Sequence, residues 1–319
     1  MKAAVNTRYG PPSVVSVRDA PVPVPGPGQL LIRVHATTVN RTDSGFRKGT
    51  PPIVRLFAGL RHPRNPILGS EYAGEVAALG PGAEGFSIGD AVVGYNDAHF
   101  GGHAEFVVTT PRGMVTHKPS TLDFPHAAAL LEGAHYSLFY IRAAGVGEGS
   151  KVLVNGGTGA IGSAAVQILA AMGADVTAVC RTEHLDLVRG LGASHVLSYE
   201  TDDFTELDER FDLVFDAVGK RTFAQCRRVL TPTGFYASTE LGPKAQNPAL
   251  AVTTRWSKGQ RMLFPIPSTR QADAEYLRDL AESGRFTPLV DRSYPIEDIR
   301  EAYDYVETGE KVGSVVVLP

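Results

Sequence analysis

The fold is decided by the stretch Val152-Leu153-Val154-Asn155-Gly156-Gly157-Thr158-Gly159-Ala160-Ile161-Gly162. Its apolar beginning predicts a buried strand, and the apolar residues that follow, up to Met172, recur at helical spacing. Three of its glycines have the GxGxxG spacing of a turn that joins a strand to a helix and binds a dinucleotide. Such glycines let backbone amides approach a pyrophosphate, and the start of the helix adds partial positive charge. We therefore expect pyrophosphate contacts from Gly157, Thr158, Gly159, Ala160, Ile161 and Gly162, the alternative being a turn that serves packing alone.

The segments around this stretch predict two domains of different architecture. Further strand candidates with little polar alternation, separated by helices, lie at 175–180, 195–199, 212–218 and 234–238. This alternation predicts a parallel, doubly wound sheet within residues 119–256. Residues 1–118 instead hold short β-rich runs between many glycines and prolines, which indicate an all-β barrel or sandwich. After residue 256 the chain offers two amphipathic helices and a last apolar strand.

Composition excludes several classes of function. The 319 residues are enough for about two domains, and 43% of them are hydrophobic. The formal charge of -3 lacks the basic excess that neutralises a nucleic-acid backbone, so no nucleic-acid partner is expected. Cys180 and Cys226 are the only cysteines, too few for a disulfide scaffold or a four-cysteine zinc lobe. No apolar run reaches the roughly 18 residues of a membrane span and no signal-like segment is visible, so we expect a cytoplasmic protein without membrane insertion.

The end of the second strand predicts which dinucleotide is bound. An NAD-specific site places Asp or Glu there to accept hydrogen bonds from the ribose hydroxyls, but this chain has Val179-Cys180-Arg181-Thr182. Arg181 suits a 2′-phosphate through charge-assisted hydrogen bonds, and His184 and Tyr199 are further candidates. We therefore predict NADPH as the cofactor, with a solvated surface role for Arg181 as the alternative.

An ordered set of motifs extends over nearly the whole chain. Beside the glycine stretch it comprises Asn40-Arg41-Thr42-Asp43, Gly69-Ser70-Glu71-Tyr72-Ala73-Gly74-Glu75-Val76, Leu191-Gly192-Ala193, Phe215-Asp216-Ala217-Val218-Gly219, Ser238-Thr239-Glu240 and Gly309-Glu310-Lys311-Val312-Gly313. In this set the chain resembles the medium-chain dehydrogenase/reductase superfamily, specifically its zinc-free quinone oxidoreductase branch. The resemblance implies an α/β protein with a GroES-like β-barrel catalytic domain in residues 1–118, completed by 257–319. It also implies a Rossmann NADP(H)-binding domain in 119–256 and a homodimer.

The positions that bind zinc in metal-dependent members of the superfamily differ here. By this resemblance Asn40 stands where those enzymes have a cysteine ligand, and Ser70 where they have a histidine ligand. An amide and a hydroxyl do not replace thiolate and imidazole at a zinc centre. His99 and His103 are separated by two glycines, which argues against a metal-binding pair on a helix. We therefore expect no metal.

A site without metal favours acceptors that are easily reduced. Hydride transfer to a simple ketone creates a basic alkoxide, which needs a Lewis acid or a strong proton donor. A quinone, or an alkene conjugated to a carbonyl, delocalises the incoming charge. The expected function is therefore NADPH-dependent reduction of a quinone or similar electron-poor acceptor. The alternatives are a 2-alkenal or enone reductase, a non-catalytic NADPH-binding redox sensor, and a zinc alcohol dehydrogenase, which would contain metal.

The resemblance also implies roles for residues outside the glycine turn. Asn40 and Asp43 are expected at the nicotinamide end, where Asn40 orients the substrate carbonyl or the cofactor carboxamide. Tyr136 and His135 are both candidate proton donors, with a buried structural role for both as the alternative, in which case the proton comes from water or another side chain. The remaining expected cofactor contacts are Val218, Ser238 and Phe264 near the nicotinamide, and Lys311 near a phosphate.

Residues 49–66 form a separate feature. Their apolar residues include Ile53, Val54, Leu56 and Phe57, and the basic residues in or next to the segment are Arg47, Lys48, Arg55, Arg61 and Arg64. We expect either a mobile flap that gives the substrate pocket an apolar, positively rimmed wall, or an ordinary surface loop.

Overall fold

The computed structural model describes all of residues 1–319 and divides them into two compact units. The first unit comprises Met1–Glu132 and Thr269–Pro319, and the second comprises Gly133–Ser268. Residues 119–132 therefore lie in the first unit and residues 257–268 in the second, unlike the division drawn from the sequence. No helix is both long enough and apolar enough to cross a membrane.

The first unit begins with mostly β-structure. Its elements in this part of the chain are β1 (Lys2–Val5), β2 (Ser16–Asp19), β3 (Leu30–Val39), α1 (Arg41–Lys48), α2 (Val54–Ala58), β4 (Glu71–Leu79), β5 (Ala91–Tyr95), β6 (Phe106–Thr109), β7 (Met114–His117) and α3 (Phe124–Ala128). The longest strand, β3, is buried along most of its length, because its apolar residues outnumber the polar ones. Its leucine, isoleucine and valine side chains pack with those of β4, β5 and β7 in one apolar core.

The second unit is a parallel sheet with helices between its strands. Its elements are α4 (Glu132–Ala144), β8 (Lys151–Asn155), α5 (Ala160–Ala171), β9 (Asp175–Cys180), α6 (Leu185–Gly190), β10 (His195–Ser198), β11 (Phe211–Asp216), α7 (Phe223–Cys226), β12 (Leu230–Ser238), α8 (Gln246–Thr254) and β13 (Arg261–Leu263). The six strands pair in parallel in the order β10-β9-β8-β11-β12-β13. The predicted parallel, doubly wound sheet is confirmed.

The strand order fixes where a ligand binds. Winding reverses between β8 and β11, and open sheets of this kind bind ligands at the carboxyl ends of the strands beside that reversal. The middles of both strands, such as Leu153 and Val214, are fully buried and belong to one apolar core. β13 extends the sheet because Met262 pairs in parallel with Tyr236 of β12. This pairing explains why the second unit continues past residue 256.

The chain then returns to the first unit. The returning elements are α9 (Gln271–Glu282), β14 (Val290–Pro295), α10 (Ile299–Thr308) and β15 (Ser314–Leu318). The large sheet of this unit has the order β14-β15-β3-β4-β5-β7, with β6 also paired to β3, whereas β1 and β2 form a separate ribbon. β15 is antiparallel to β3, with Val316 opposite Thr38. Short 3-10 helices lie at Pro12–Val14, Thr182–His184, Phe204–Glu206, Arg227–Val229, Pro243–Ala245 and Ile296–Asp298.

Candidate functional site

The turn after β8 is shaped by glycines that a larger residue cannot replace. A Cβ on Gly162 would overlap the carbonyl oxygen of Gly156, and one on Gly156, whose φ is +92°, would overlap Val218. The backbone N–H groups of Gly156 and Gly157 donate to the Val179 carbonyl at 3.0 and 2.9 Å. Glycine at 162 therefore allows α5 to begin in direct contact with the turn.

The N-terminus of α5 offers donors to an anion. Its N-cap is Gly159, and no side chain caps the helix. The first backbone N–H groups of a helix have no acceptor within it, and the helix dipole adds partial positive charge there. A Cβ on Gly159 would have nothing nearer than the Gly156 carbonyl oxygen at 3.7 Å, so the space beside it is open. The turn and helix start bring residues 157–162 together in an arrangement that fits a dinucleotide pyrophosphate.

Arg181 follows β9 and belongs to a polar surface group. Its Nε donates to the Tyr199 hydroxyl at 3.1 Å, and its Nη1 donates to Glu183 Oε1 at 3.3 Å. Nε also lies 3.9 Å from Glu200 Oε1. The hydrogen bonds with Tyr199 and then Glu183 raise the pKa of Arg181. The structure therefore brings Arg181 and Tyr199 together, but with two carboxylates that the sequence analysis did not consider.

These two carboxylates have different surroundings. Glu183 Oε1, already bonded to Arg181, lies 3.4 Å from His184 Nε2. Glu200 Oε2 accepts from the Thr182 N–H at 3.0 Å, and bonds from Thr182 lower the pKa of Glu200. A sequence signal existed, because Glu183 lies two residues after Arg181 and Glu200 directly follows Tyr199. The Arg181 guanidinium therefore already has hydrogen-bond partners in Tyr199 and Glu183.

A buried carboxylate, Asp216, joins the carboxyl ends of β8, β11 and β12. Its Oδ1 accepts from Asn155 Nδ2 at 2.9 Å, and from the N–H groups of Val218 and the following glycine at 3.3 and 3.0 Å. Its Oδ2 accepts from the Arg221 N–H at 2.9 Å. The Tyr236 hydroxyl lies 3.0 Å from Oδ2 and 2.7 Å from the Arg221 carbonyl, so its one hydrogen is shared between these two acceptors. Four N–H donors on one carboxylate hold the loop that presents Val218 to the glycine turn. Asp216 stands within the motif at 215–219, but these contacts are not visible from the sequence.

Ser238 and Phe264, which are also expected near the nicotinamide, lie at the same edge of the sheet. Ser238 ends β12 and is fully buried, and its carbonyl accepts from the Tyr140 hydroxyl at 2.9 Å. Phe264 directly follows β13 and packs against the apolar core of the unit. Tyr136 lies in α4, with its ring edge-on to His135 at 5.9 Å between centroids. The carboxyl ends of β11, β12 and β13 thus carry Val218, Ser238 and Phe264 in neighbouring positions.

In the first unit, Asn40 and Asp43 cap the N-terminus of α1. Asn40 Oδ1 accepts from the Asp43 N–H at 2.8 Å, and Asp43 Oδ2 accepts from the Asn40 N–H at 3.2 Å. Asp43 Oδ1 also accepts from the Gly69 N–H at 3.2 Å. Burial, followed by repulsion from Glu132, raises the pKa of Asp43 well above its usual range. These bonds are those of a helix cap, and a role of Asp43 at a nicotinamide stays a prediction.

The two residues at the positions of zinc ligands are bonded to each other. Asn40 Nδ2 donates to Ser70 Oγ at 2.8 Å. His103, the nearest histidine, has its Nε2 within 2.8 Å of the Thr38 carbonyl, and burial lowers the pKa of its imidazole to about 4. No group of three or more His, Cys, Asp or Glu side chains is placed to hold a metal ion. The residues present therefore do not fit a zinc centre.

Two further carboxyl groups are buried next to this cap. Glu71 accepts from the Thr38 hydroxyl and from the Glu132 N–H, both at 2.8 Å, and Glu132 accepts from the Thr42 hydroxyl at 2.9 Å. Burial, followed by repulsion from Glu132, raises the pKa of Glu71 to about 8, and burial also raises that of Glu132. The sequence signal was the isolated acid in Leu130-Leu131-Glu132. Burial therefore favours the protonated forms of Glu71 and Glu132.

Lys311 lies near the same carboxyl groups. Its Nζ donates to the Gly313 carbonyl at 2.5 Å. Burial lowers the pKa of the ammonium group, while attraction to Glu132 opposes that change. The expected contact between Lys311 and a cofactor phosphate stays a prediction, because its surroundings in the first unit already account for its charge.

Comparisons with known proteins agree with this architecture. Residues 26–120 match the alcohol dehydrogenase GroES-like domain, and residues 191–317 match the zinc-binding dehydrogenase family. The trans-enoyl reductase pgmF of Aspergillus terreus is 32% identical, with 92% of this chain and 86% of the relative covered. The chloroplastic NADPH-dependent alkenal/one oxidoreductase of Arabidopsis thaliana is 28% identical, with 100% and 80% covered. The structure of the quinone oxidoreductase from Coxiella burnetii superposes with a TM-score of 0.88 at 26% identity, covering 100% of this chain and 99% of that one. The GroES-like fold predicted for the first unit is confirmed.

Proposed function

Because this chain is an oxidoreductase of the medium-chain dehydrogenase/reductase superfamily, in its quinone oxidoreductase-like branch, we propose that it uses NADPH to reduce a quinone or similar electron-poor acceptor without a metal ion. The observation that carries the proposal is the glycine-shaped turn and open helix start at 156–162, located at the reversal of the parallel sheet. The first unit is the proposed catalytic domain and the second the proposed NADP(H)-binding domain.

The second unit is proposed to bind the cofactor, which supplies the hydride when bound. Residues 157–162 contact the pyrophosphate, and the backbone N–H groups at the start of α5 are its donors. Arg181 and Tyr199, with His184, bind the 2′-phosphate, and Val218, Ser238 and Phe264 contact the nicotinamide. Lys311 of the first unit is the remaining proposed phosphate contact. NADPH is favoured over NADH because a guanidinium, rather than an acidic residue, directly follows β9.

The first unit is proposed to orient the acceptor. Asn40 Nδ2 gives one hydrogen to Ser70 and has a second one, which can donate to a carbonyl oxygen of the acceptor or to the nicotinamide carboxamide. Asp43 is proposed to hold Asn40 in this orientation through the cap of α1. Tyr136 is the proposed donor of the proton that accompanies the hydride. No step needs a Lewis acid, because the acceptor itself delocalises the negative charge.

Steady-state rates of NADPH oxidation test this function. We expect turnover with a simple quinone, and we expect the same rate after the protein has been treated with a chelator. A 2-alkenal or enone that is reduced faster than any quinone would favour the double-bond reductase, in agreement with the name of the Arabidopsis alkenal/one oxidoreductase. Tight NADPH binding without oxidation by any acceptor in a broad panel would instead identify a redox sensor and overturn the proposal.

A homodimer located in the cytoplasm completes the proposal. β13 is an end strand of its sheet and pairs only with β12, so its other edge is free to pair with the same strand of a second copy. A sedimentation measurement that gives the mass of two chains would support the dimer, and the mass of one chain would contradict it.

A further inference from the structure

Residues 53–60 carry the densest group of exposed apolar side chains in the protein. Ile53, Leu56, Phe57 and Leu60 are 55%, 57%, 71% and 67% exposed. We call these four residues the apolar knob. Transfer of a large apolar side chain out of water lowers the free energy of the protein. Four such side chains exposed within eight residues therefore indicate a surface that binds a partner.

The chain around the apolar knob is strongly basic. No acidic residue occurs between Asp43 and Glu71, whereas this stretch contains five Lys or Arg residues. The whole chain has a formal charge of -3, so the positive charge is concentrated against a negative background. Arg47 and Lys48 both pair with Glu307. The basic residues without an acidic partner are Arg55, Arg61 and Arg64, and all three are exposed.

Tyr9 and Gly49 contact the segment that carries the apolar knob. The Tyr9 hydroxyl donates to the Gly59 carbonyl at 2.6 Å, and the Arg55 guanidinium stacks over the Tyr9 ring at 4.9 Å from its centroid. Arg55 Nε donates to the Gly49 carbonyl at 3.1 Å. These contacts tie both ends of α2 to Tyr9. The helix that carries the exposed Leu56 and Phe57 is therefore attached to the rest of the first unit at both ends.

Charge decides between the surfaces that could cover the apolar knob. A two-fold contact with a second copy would bring the unpaired arginines of both copies together, and their repulsion would oppose it. Prolines at 51, 52, 63 and 66 flank the knob and do not donate the backbone hydrogen bonds of an added strand. An anionic lipid surface offers both an apolar interior for Phe57 and its neighbours and negative headgroups for the arginines.

We propose that the apolar knob, together with Arg55, Arg61 and Arg64, docks the protein on the surface of an anionic lipid bilayer. The contact is peripheral, because the four side chains reach only the boundary between headgroups and acyl chains. It is independent of the proposed function, since it concerns binding and not turnover. An acceptor dissolved in the bilayer would then be concentrated near the protein.

Co-sedimentation of the full chain with lipid vesicles tests the proposal. At low salt we expect binding to vesicles of phosphatidylcholine mixed with phosphatidylglycerol, and roughly tenfold weaker binding to phosphatidylcholine alone. The double variants Phe57→Ser/Leu60→Ser and Arg61→Gln/Arg64→Gln should each weaken binding to the anionic vesicles by roughly tenfold. Matched controls in the same unit are Ile88→Ser, which changes another exposed apolar residue, and Arg112→Gln/Arg285→Gln, which removes two other exposed charges. Both controls should bind as the parent does.

A fluorescence measurement gives a second readout that does not depend on sedimentation. Trp256 is the only tryptophan, so Phe57→Trp in a Trp256→Phe background reports from the apolar knob alone. A blue shift with anionic vesicles and none with phosphatidylcholine supports the proposal. Absence of binding to anionic vesicles overturns it, as does equal binding to both kinds of vesicle. The proposal is also overturned if the Phe57→Ser/Leu60→Ser variant binds vesicles as the parent does. In that case a changed oligomer mass would indicate a contact between copies, and a changed KM for an acceptor would indicate a wall of the substrate site.

Discussion

Gly162 and Gly159 stand three residues apart on the proposed pyrophosphate turn and differ in their surroundings. An added Cβ at 162 overlaps the backbone of Gly156, whereas one at 159, where φ is -69°, meets nothing closer than 3.7 Å. We expect Gly162→Ala to lower stability by about 1–3 kcal/mol, because the backbone must move, and to weaken NADPH binding. Gly159→Ala is the matched control and should retain the parent's melting temperature. Equal melting temperatures of the two variants would show that the close contact between Gly162 of α5 and the Gly156 backbone does not contribute to stability.

Arg181 tests cofactor choice at the scale of one residue. A charge-assisted hydrogen bond contributes about 1.5–3 kcal/mol, so Arg181→Ala should weaken NADPH binding by roughly 10- to 100-fold and leave NADH binding nearly unchanged. Calorimetric titration with both cofactors measures this. The control is Arg189→Ala, an exposed arginine of the same unit that pairs with Asp186. Equal affinity of the parent for NADPH and NADH would instead assign Glu183 and Glu200 to the ribose hydroxyls.

The loop after β11 is the element most dependent on one side chain. Asp216→Asn leaves one carbonyl oxygen for four N–H donors and the Tyr236 hydroxyl, and it turns an NH₂ group toward some of them. We expect a loss of stability of about 1–3 kcal/mol and a several-fold higher KM for NADPH, because Val218 loses its support. Tyr236→Phe removes one donor only and should have a smaller effect on both quantities. Urea unfolding and initial rates measure them, and parent-like values for Asp216→Asn would contradict the assigned role.

The elements of the second unit were predictable to different degrees. β9 has its expected bounds, Asp175–Cys180, because a short apolar run ends there at polar residues. β13 has three residues, too few for a periodic pattern, and its place in the sheet depends on pairing with β12. The bonds of Asp216 were not predictable, because they join Asn155, Tyr236 and a loop that are distant in sequence. Local sequence patterns therefore predicted the strands and the glycine turn. The hydrogen bonds of Asp216 depend on tertiary packing and required the structure.

Stability of the whole molecule should depend on the buried Glu71. A carboxyl group whose pKa is higher in the folded protein keeps its proton there while the unfolded chain loses it. Glu71 contributes its full stability below its ordinary pKa of 4.5 and loses it as pH rises toward about 8, by at most about 1.4 kcal/mol per pH unit. Glu71→Gln should therefore lose less stability across this window than the parent. Urea unfolding at both ends of the window measures this, with the exposed Glu84→Gln as control. A steeper loss for Glu71→Gln would contradict the assignment.

The organisation of the whole chain was predictable where a motif fixed it. The alternation of apolar strands and helices predicted the parallel sheet, whereas the order of its strands required the structure. The buried group of Asp43, Glu71 and Glu132 was not predicted, because its members come from three separate segments that meet only in the folded unit. The replaced zinc ligands Asn40 and Ser70 were recognised from the sequence, whereas their mutual hydrogen bond required the structure.

The decisive measurement for metal-free reduction of a quinone by NADPH is a single turnover, with the chelator-treated protein in excess over NADPH. We expect all bound NADPH to be oxidised at the rate of the untreated protein, and we expect added zinc to leave this rate unchanged. NADPH that stays reduced with every quinone and enone offered would contradict the account, and so would an activity that the chelator abolishes and zinc restores.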